Sequence, residues 1–225
     1  DGIAGKAVER GQLCVRMRPR PAGVMVGYER EDGLAPVDAE LYHTGDVMEY
    51  DTDLGMYRFF SRADDVFKCS DYRISPFEVE RKLLQCAHIG DVAVVPVPDP
   101  KRQWVPKAFV IAPAQTPNPT LYDEVATARA VFQHSRDHLP PYSRIRRLQF
   151  VDELEKTVSN KIIRTNLRRG EAARYERFEA ALCEELGLGR FELSAAFADL
   201  SQKEEEDMWA RLPREPREYF ESQFF

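Results

Sequence analysis

Three residues of this chain have the types and the order to act on a nucleotide and an acid. Asp46 closes the run Tyr42-His43-Thr44-Gly45-Asp46, Arg62 follows in Ser61-Arg62-Ala63-Asp64-Asp65, and Lys161 stands far downstream in Thr157-Val158-Ser159-Asn160-Lys161-Ile162-Ile163-Arg164. A carboxylate can accept both hydroxyls of a ribose, an arginine beside it adds a fixed fork of donors, and a lysine on a mobile loop can bridge a phosphate and a carboxylate. Gly45 lets the backbone tighten and leaves the Asp46 carboxylate at a loop edge.

These residues need elements to hold them. Residues 12–17 alternate apolar and polar as a half-buried strand does, and Pro19, Pro21 and Gly23 break the chain before Val24 to Tyr28. Tyr57 to Phe60 reads as a strand after the turn signal Asp51-Thr52-Asp53-Leu54-Gly55. Val66 to Lys68 and Tyr72 to Ile74 form an expected hairpin that leads into Ser75-Pro76-Phe77-Glu78. That tetrad is a capping box with proline at the first helical position. The helix it opens is expected to run to about Cys86 with Phe77, Leu83 and Leu84 inward. Val92 to Val97 and Lys107 to Ala112 have strand length and apolar content. Leu121, Val125, Ala128, Phe132 and Leu139 keep helical spacing up to Pro140-Pro141, and Arg147 to Val151 makes a last strand. The expectation is an α+β unit over about residues 65–170, with helices covering a small sheet.

From Glu171 the composition turns helical and acidic. Arg174 to Leu186 is amphipathic, Gly187 and Gly189 are C-cap signals, and Lys203 to Asp207 is a charge run. Tyr219, Phe220, Phe224 and Phe225 end the chain, and scattered aromatics of this kind fill cores.

Bulk properties limit the partners. The chain has 225 residues, of which 43% are hydrophobic, including 13 Phe and 9 Tyr, enough for a core. A net charge of −6 excludes nucleic acid or a lipid surface as the main partner, so local basic clusters serve small anions. No apolar run approaches the roughly 18 residues of a membrane span. Cys14, Cys69, Cys86 and Cys183 lack a Cys-x-x-Cys spacing and read as free thiols of a reducing compartment. His134 and His138 share a helix face at i and i+4, but with no further ligand at metal-site spacing they read as exposed or capping histidines, and no metal site is expected.

The ordered trio resembles the C-terminal half of adenylate-forming enzymes, the superfamily of acyl-CoA synthetases, peptide-synthetase adenylation domains and luciferases. The resemblance covers about residues 9–169. It implies that Asp46 holds the ribose of ATP, that Arg62 supports the nucleotide, and that Asp64 is a hinge between a strand-rich end of the large AMP-binding domain (1–63) and a mobile C-terminal domain (64–170), followed by a helical acidic extension (171–225). Lys161 then carries catalysis: attack of a carboxylate on the α-phosphate brings two anions together, and a mobile cation between them lowers the barrier. Lys156, Arg164, Arg168 and Arg169 flank it. Magnesium would accompany ATP. For the second half-reaction the resemblance places Lys68, Ser70, Arg73 and Arg102 around coenzyme A. Arg20 to Tyr28, Tyr72 to Glu80, Pro98 to Arg102 and Val105 to Val110 look like the acetyl to medium-chain acyl-CoA synthetase branch.

The chain departs from that pattern where the family usually has glycine: Asp71, Gln103 and Asn160. Glu155 stands at a common proline. A side chain at position 71 is expected to intrude on pantetheine and repel its phosphates, whereas Asn160 tolerates a left-handed backbone. The phosphate-gripping loop, the adenine pocket and the acyl pocket of such enzymes lie upstream of the region present. The expectation is therefore part of a longer synthetase in the cytoplasm or mitochondrial matrix, the competing reading being a truncated, non-catalytic binding module. The acid itself is not encoded in this stretch.

Overall fold

The structure, a computed structural model, describes residues 10–37, 40–99, 102–113, 123–187, 215 and 217–225. The chain divides into two compact units, residues 1–66 and 67–225.

The described part of the first unit consists of strands and the turns between them. β1 (Arg10–Arg16), β4 (Leu41–Asp51) and β5 (Met56–Arg62) form an antiparallel sheet in the order β1-β4-β5, and β2 (Gly27–Arg30) pairs with β3 (Gly33–Pro36) as a separate hairpin. The expected turn between β4 and β5 is built by Asp51, whose Oδ1 accepts from the backbone N–H of Asp53 and of Leu54, each at 3.0 Å. Such an Asx turn replaces backbone pairing with a side chain and fixes the strand register. Opposite it, the buried Glu49 on β4 accepts from Arg58 at 2.6 Å and faces Arg10 at 3.7 Å.

The second unit is a small sheet with packed helices. The hairpin β6 (Phe67–Cys69) and β7 (Tyr72–Ile74) leads to α1 (Pro76–Leu83), then to β8 (Asp91–Asp99), β9 (Gln103–Ile111), α2 (Glu124–His138), β10 (Arg147–Phe150), α3 (Arg164–Leu186), β11 (Glu218–Phe220) and a 3₁₀ turn at Glu221–Gln223. The sheet order is β11-β10-β9-β8, with β9 and β10 parallel and the other pairs antiparallel. The parallel step needs a crossover, and α2 supplies it. Val92 to Val95 are all at most 1% exposed, so β8 is covered on both faces, and this is why its sequence is continuously apolar rather than alternating.

The helix caps follow the sequence. Ser75 Oγ accepts from the Glu78 N–H at 3.3 Å with Pro76 at the first position, and Asp123 Oδ1 caps α2 by accepting from Val125 and Ala126. Gly187 ends α3 in the left-handed region at φ 66°. Two expectations about helix faces fail. On α1 the buried residues are Pro76, Val79, Glu80 and Leu83, while Phe77 and Leu84 are exposed. A period of 3.6 puts 76, 79, 80 and 83 on one face, and positions 77 and 84 fall on its flank. On α2, Ala128 and Phe132 are buried as expected, but Val125 in the first turn is exposed. Leu121 and the charge run 203–207 lie outside the described residues.

A larger correction concerns the C-terminus. α3 starts at Arg164 and runs through position 171, where a separate extension was expected, and β10 is not the last strand: β11 pairs with it, Arg147 opposite Phe220 and Gln149 opposite Glu218. Tyr219 and Phe224 pack on the core, in keeping with the reading of the terminal aromatics as packing groups. Beneath them lies an ionic cluster. Lys107 of β9 is fully buried and donates to Glu171 of α3 at 2.7 Å and to Glu218 of β11 at 2.8 Å. Arg174 reaches the same Glu218 with two nitrogens, at 2.6 and 3.0 Å. Burial by itself pushes the Glu218 carboxyl up, and the Arg174 hydrogen bond together with Lys107 outweighs it, holding the carboxyl below its ordinary range. Arg147 is buried beside them, and that burial lowers its pKa.

Candidate functional site

Asp46 and Arg62 are brought together by strand pairing. They are direct register partners across β4 and β5, and Arg62 Nη1 donates to Asp46 Oδ1 at 2.9 Å and to the Thr44 carbonyl at 3.0 Å. Arg62 Nε reaches Asp64 Oδ1 at 3.3 Å. One guanidinium therefore gathers the Thr-Gly-Asp run and the residue two positions beyond it. The hydrogen bond to Asp46 and the field of both aspartates raise the Arg62 pKa above its usual value. Both partners are part-exposed, Arg62 45% and Asp46 33%. An exposed pair contributes little stability, so its value lies in a fixed carboxylate geometry with Asp46 Oδ2 turned to no donor among the described residues.

The backbone explains why the run contains glycine. Between Gln12 and Cys14 of β1 the register with β4 slips, so that residues 44–46 bulge. Gly45 sits at φ 81°, and a Cβ there would stand 2.6 Å from Arg62 Nη2. Glycine thus supplies both the left-handed conformation and the space for the guanidinium. Thr44 is a positioning residue that sequence reasoning passed over: its hydroxyl donates to the Leu13 carbonyl at 2.9 Å and accepts from the Asp46 N–H at 3.1 Å.

Lys161 belongs to the second unit. Its loop is a tight hairpin closed by Thr157 N–H to the Lys161 carbonyl at 2.8 Å and Lys161 N–H to Thr157 Oγ1 at 3.1 Å, with Ile163 N–H on the Glu155 carbonyl at 2.9 Å. Asn160 takes φ 61° at the tip. The flanking cations divide. Lys156 is paired with Asp91 at 2.7 Å, and Arg164 makes a two-pronged pair with Glu80 at 2.6 and 3.1 Å. Among the described residues no carboxylate pairs with Lys161, which is exposed. The loop is therefore pinned on both sides by structural ion pairs and presents one uncommitted ammonium.

Lys68 and Arg73 are register partners on β6 and β7, and the turn between these strands is Ser70-Asp71. The Ser70 N–H donates to the Arg102 carbonyl at 3.0 Å, and the Arg102 N–H is held by Asp99 Oδ1 at 2.8 Å. The structure thus gathers Lys68, Ser70, Arg73 and Arg102 at one end of the unit. Arg102 and Arg146 also act on the buried Cys69, whose pKa rises chiefly through burial.

The departures from glycine separate in this geometry. Gln103 and Asn160 occupy the left-handed region at φ 68° and 61°, and Ser70 does so at 53°, whereas Asp71 has no positive φ. The expected burden at position 71 is thus not backbone strain. Gln103→Gly should raise the unfolding free energy by about 1 kcal/mol, because a side chain in the left-handed region carries a penalty of that order. Urea denaturation checks this, and a loss of stability would mean that contacts of the glutamine side chain outweigh the strain.

The histidine pair is a packing feature: the His134 and His138 rings stack at 4.0 Å, His134 Nε2 bonds the Lys82 carbonyl at 2.9 Å, and His138 Nδ1 bonds the His134 carbonyl at 2.9 Å. No group of three metal-ligating side chains occurs among the described residues. No helix among them is long and apolar enough to cross a membrane.

Residues 78–161 match the AMP-binding enzyme C-terminal domain, and this stretch of the chain belongs to that domain family. It is similar to the 4-hydroxybutyrate–CoA ligase 1 of Metallosphaera sedula, 37% identical over 176 residues, covering 77% of this chain and 30% of that protein. The human mitochondrial acyl-coenzyme A synthetase ACSM5 is 40% identical over 166 residues, covering 72% of this chain and 28% of the relative. A crystal structure of an anthranilate CoA ligase in complex with anthranoyl-AMP is 32% identical with a TM-score of 0.61, covering 72% of this chain and 30% of that one. The chain thus spans about 30% of the length of the relatives it matches.

Proposed function

We propose that this chain is the C-terminal portion of an ATP-dependent, AMP-forming acyl-CoA synthetase that converts a carboxylic acid through its acyl-adenylate to the acyl-CoA. The observation that carries the reading is the Asp46–Arg62 pair, clamped across a glycine bulge, in a chain whose second unit presents Lys161 on a pinned loop. Asp46 has an oxygen for the ribose hydroxyls, Arg62 holds that carboxylate in place, and Lys161 offers a cation to the anions that meet in adenylate formation. Lys68, Ser70, Arg73 and Arg102 are the donors at hand for the phosphates of coenzyme A. Magnesium enters with ATP, and no described residue is assigned to it. Residues 1–63 close the large AMP-binding domain, whose upstream part is the required partner. The setting is the cytoplasm or the mitochondrial matrix, and the relatives described as mitochondrial support the organelle.

The test joins the chain to its upstream region and measures acid-dependent exchange of pyrophosphate into ATP, then CoA-dependent release of AMP. Asp46→Ala is expected to raise the KM for ATP by roughly 10- to 100-fold, the range of hydrogen bonds to a charged group. An unchanged KM for ATP would remove Asp46 from the nucleotide site.

Asp64 is proposed as the hinge. It stands two residues before the junction of the two units after Val66, and Asp64→Pro should preserve one half-reaction and abolish the other, since proline holds φ near about −65°. Equal slowing of both half-reactions would make Asp64 an ordinary loop residue.

A further inference from the structure

We propose that Cys14 is a reactive thiol that exchanges with low-molecular-weight disulfides, with His43 as its proton acceptor. Cys14 on β1 and His43 on β4 are register partners, so both side chains leave the same face of the sheet. Cys14 Sγ lies 3.3 Å from His43 Nδ1, and the same nitrogen lies 3.0 Å from Gln12 Oε1. A second thiol contact, Sγ to the Gln12 carbonyl at 3.7 Å, keeps the sulfur beside the ring. Gln12 Oε1 is at hand to accept from this nitrogen when it carries the proton taken from the thiol. On the opposite face the Thr44 hydroxyl ties the strands to each other at Leu13, so the dyad rests on a fixed frame.

The positions around the dyad are basic or apolar. Alternation along β1 puts Arg16 on the same face next to Cys14 and Arg10 farther along, where it pairs with Glu49. On β4 the neighbouring register positions are Leu41 and Val47, both apolar, and Asp46 is engaged by Arg62. The other three cysteines lack this arrangement. Cys69 and Cys86 are buried, and burial pushes both thiols up. Cys183 lies on α3 in a cavity lined by Glu176 and Glu179, with no histidine beside it.

The exchange balances without a further reactant. The Cys14 thiol proton passes to the His43 imidazole, and the thiolate attacks one sulfur of the disulfide. The reagent's S–S bond breaks as a new one forms to Cys14, and the departing thiolate takes the proton back from the imidazolium.

The purified 225-residue chain, incubated with oxidised glutathione and mapped by mass spectrometry, tests this. At pH 7 an unactivated thiol is only a few per cent ionised, so the peptide carrying Cys14 is expected to gain glutathione on the order of tenfold faster than the one carrying Cys183. His43→Gln should slow the Cys14 reaction about tenfold at pH 7 and leave it near wild type at pH 9, where thiols ionise unaided. A merely structural His43 would change both rates alike or neither. Equal labelling of Cys14 and Cys183 at pH 7, or a His43→Gln rate unchanged at that pH, overturns the proposal.

Discussion

Lys161→Ala in the complete enzyme is expected to abolish adenylate formation while sparing conversion of supplied acyl-adenylate to thioester. The reason is local. The ammonium is exposed and unpaired among the described residues, while Lys156 and Arg164 on either side are committed to Asp91 and Glu80, so neither neighbour can substitute for it. Loss of one preorganised charge at a developing anion slows a reaction by on the order of 10²-fold or more. Pyrophosphate exchange at the wild-type rate would end the assignment. Lys156→Ala is the control: removing a structural pair that is about one third exposed on each side should change stability by under about 1 kcal/mol and leave exchange nearly intact.

The second large effect is on folding. Glu218→Ala should destabilise the chain by about 3–5 kcal/mol, since it leaves the fully buried Lys107 and the nearly buried Arg174 without their shared carboxylate. Denaturant unfolding measures it, and a change below about 1 kcal/mol would show that water or Glu171 replaces the lost partner. The pH dependence has a defined sign. The folded-state pKa of Glu218 is depressed below the unfolded value, which is about 4.3. Its stabilisation is therefore complete above that value and disappears as pH falls through the folded one. Glu218→Gln should flatten the acid side of the stability curve. An acid limb as steep as that of the wild type would assign the pH dependence to other carboxylates.

The two effects differ in how far one could see them from the residues alone. Asp46, Arg62 and Lys161 stand in short runs whose chemistry is carried by residue type and by glycine or turn signals within a few positions. The same holds for the Ser75 cap and the Asp51 turn, where the hydrogen bonds close within three residues. Faces of helices were harder: Phe77 and Leu84 look like core residues by type, yet the phase of α1 is set by which of its sides meets β8 and α2.

Long-range pairing was beyond reach. Lys107 sits in an apolar run as an apparent exception, and nothing near it in sequence says that Glu171 and Glu218 will neutralise it, because those partners are 64 and 111 positions away. The Asp71 departure is a third kind of case. Position 71 is an expected glycine, but the left-handed residue in that turn is Ser70, and only the backbone angles show where the strain lies.

By itself the sequence points to the adenylate-forming class and to its candidate chemical residues, because those depend on side-chain type and local spacing. Tertiary structure alone decides that the terminal strand β11 completes the sheet over a buried ionic cluster, and that Cys14 meets His43 across two strands. Both depend on register between segments distant in the chain, which is selected by burial and pairing of the whole unit rather than by any local signal.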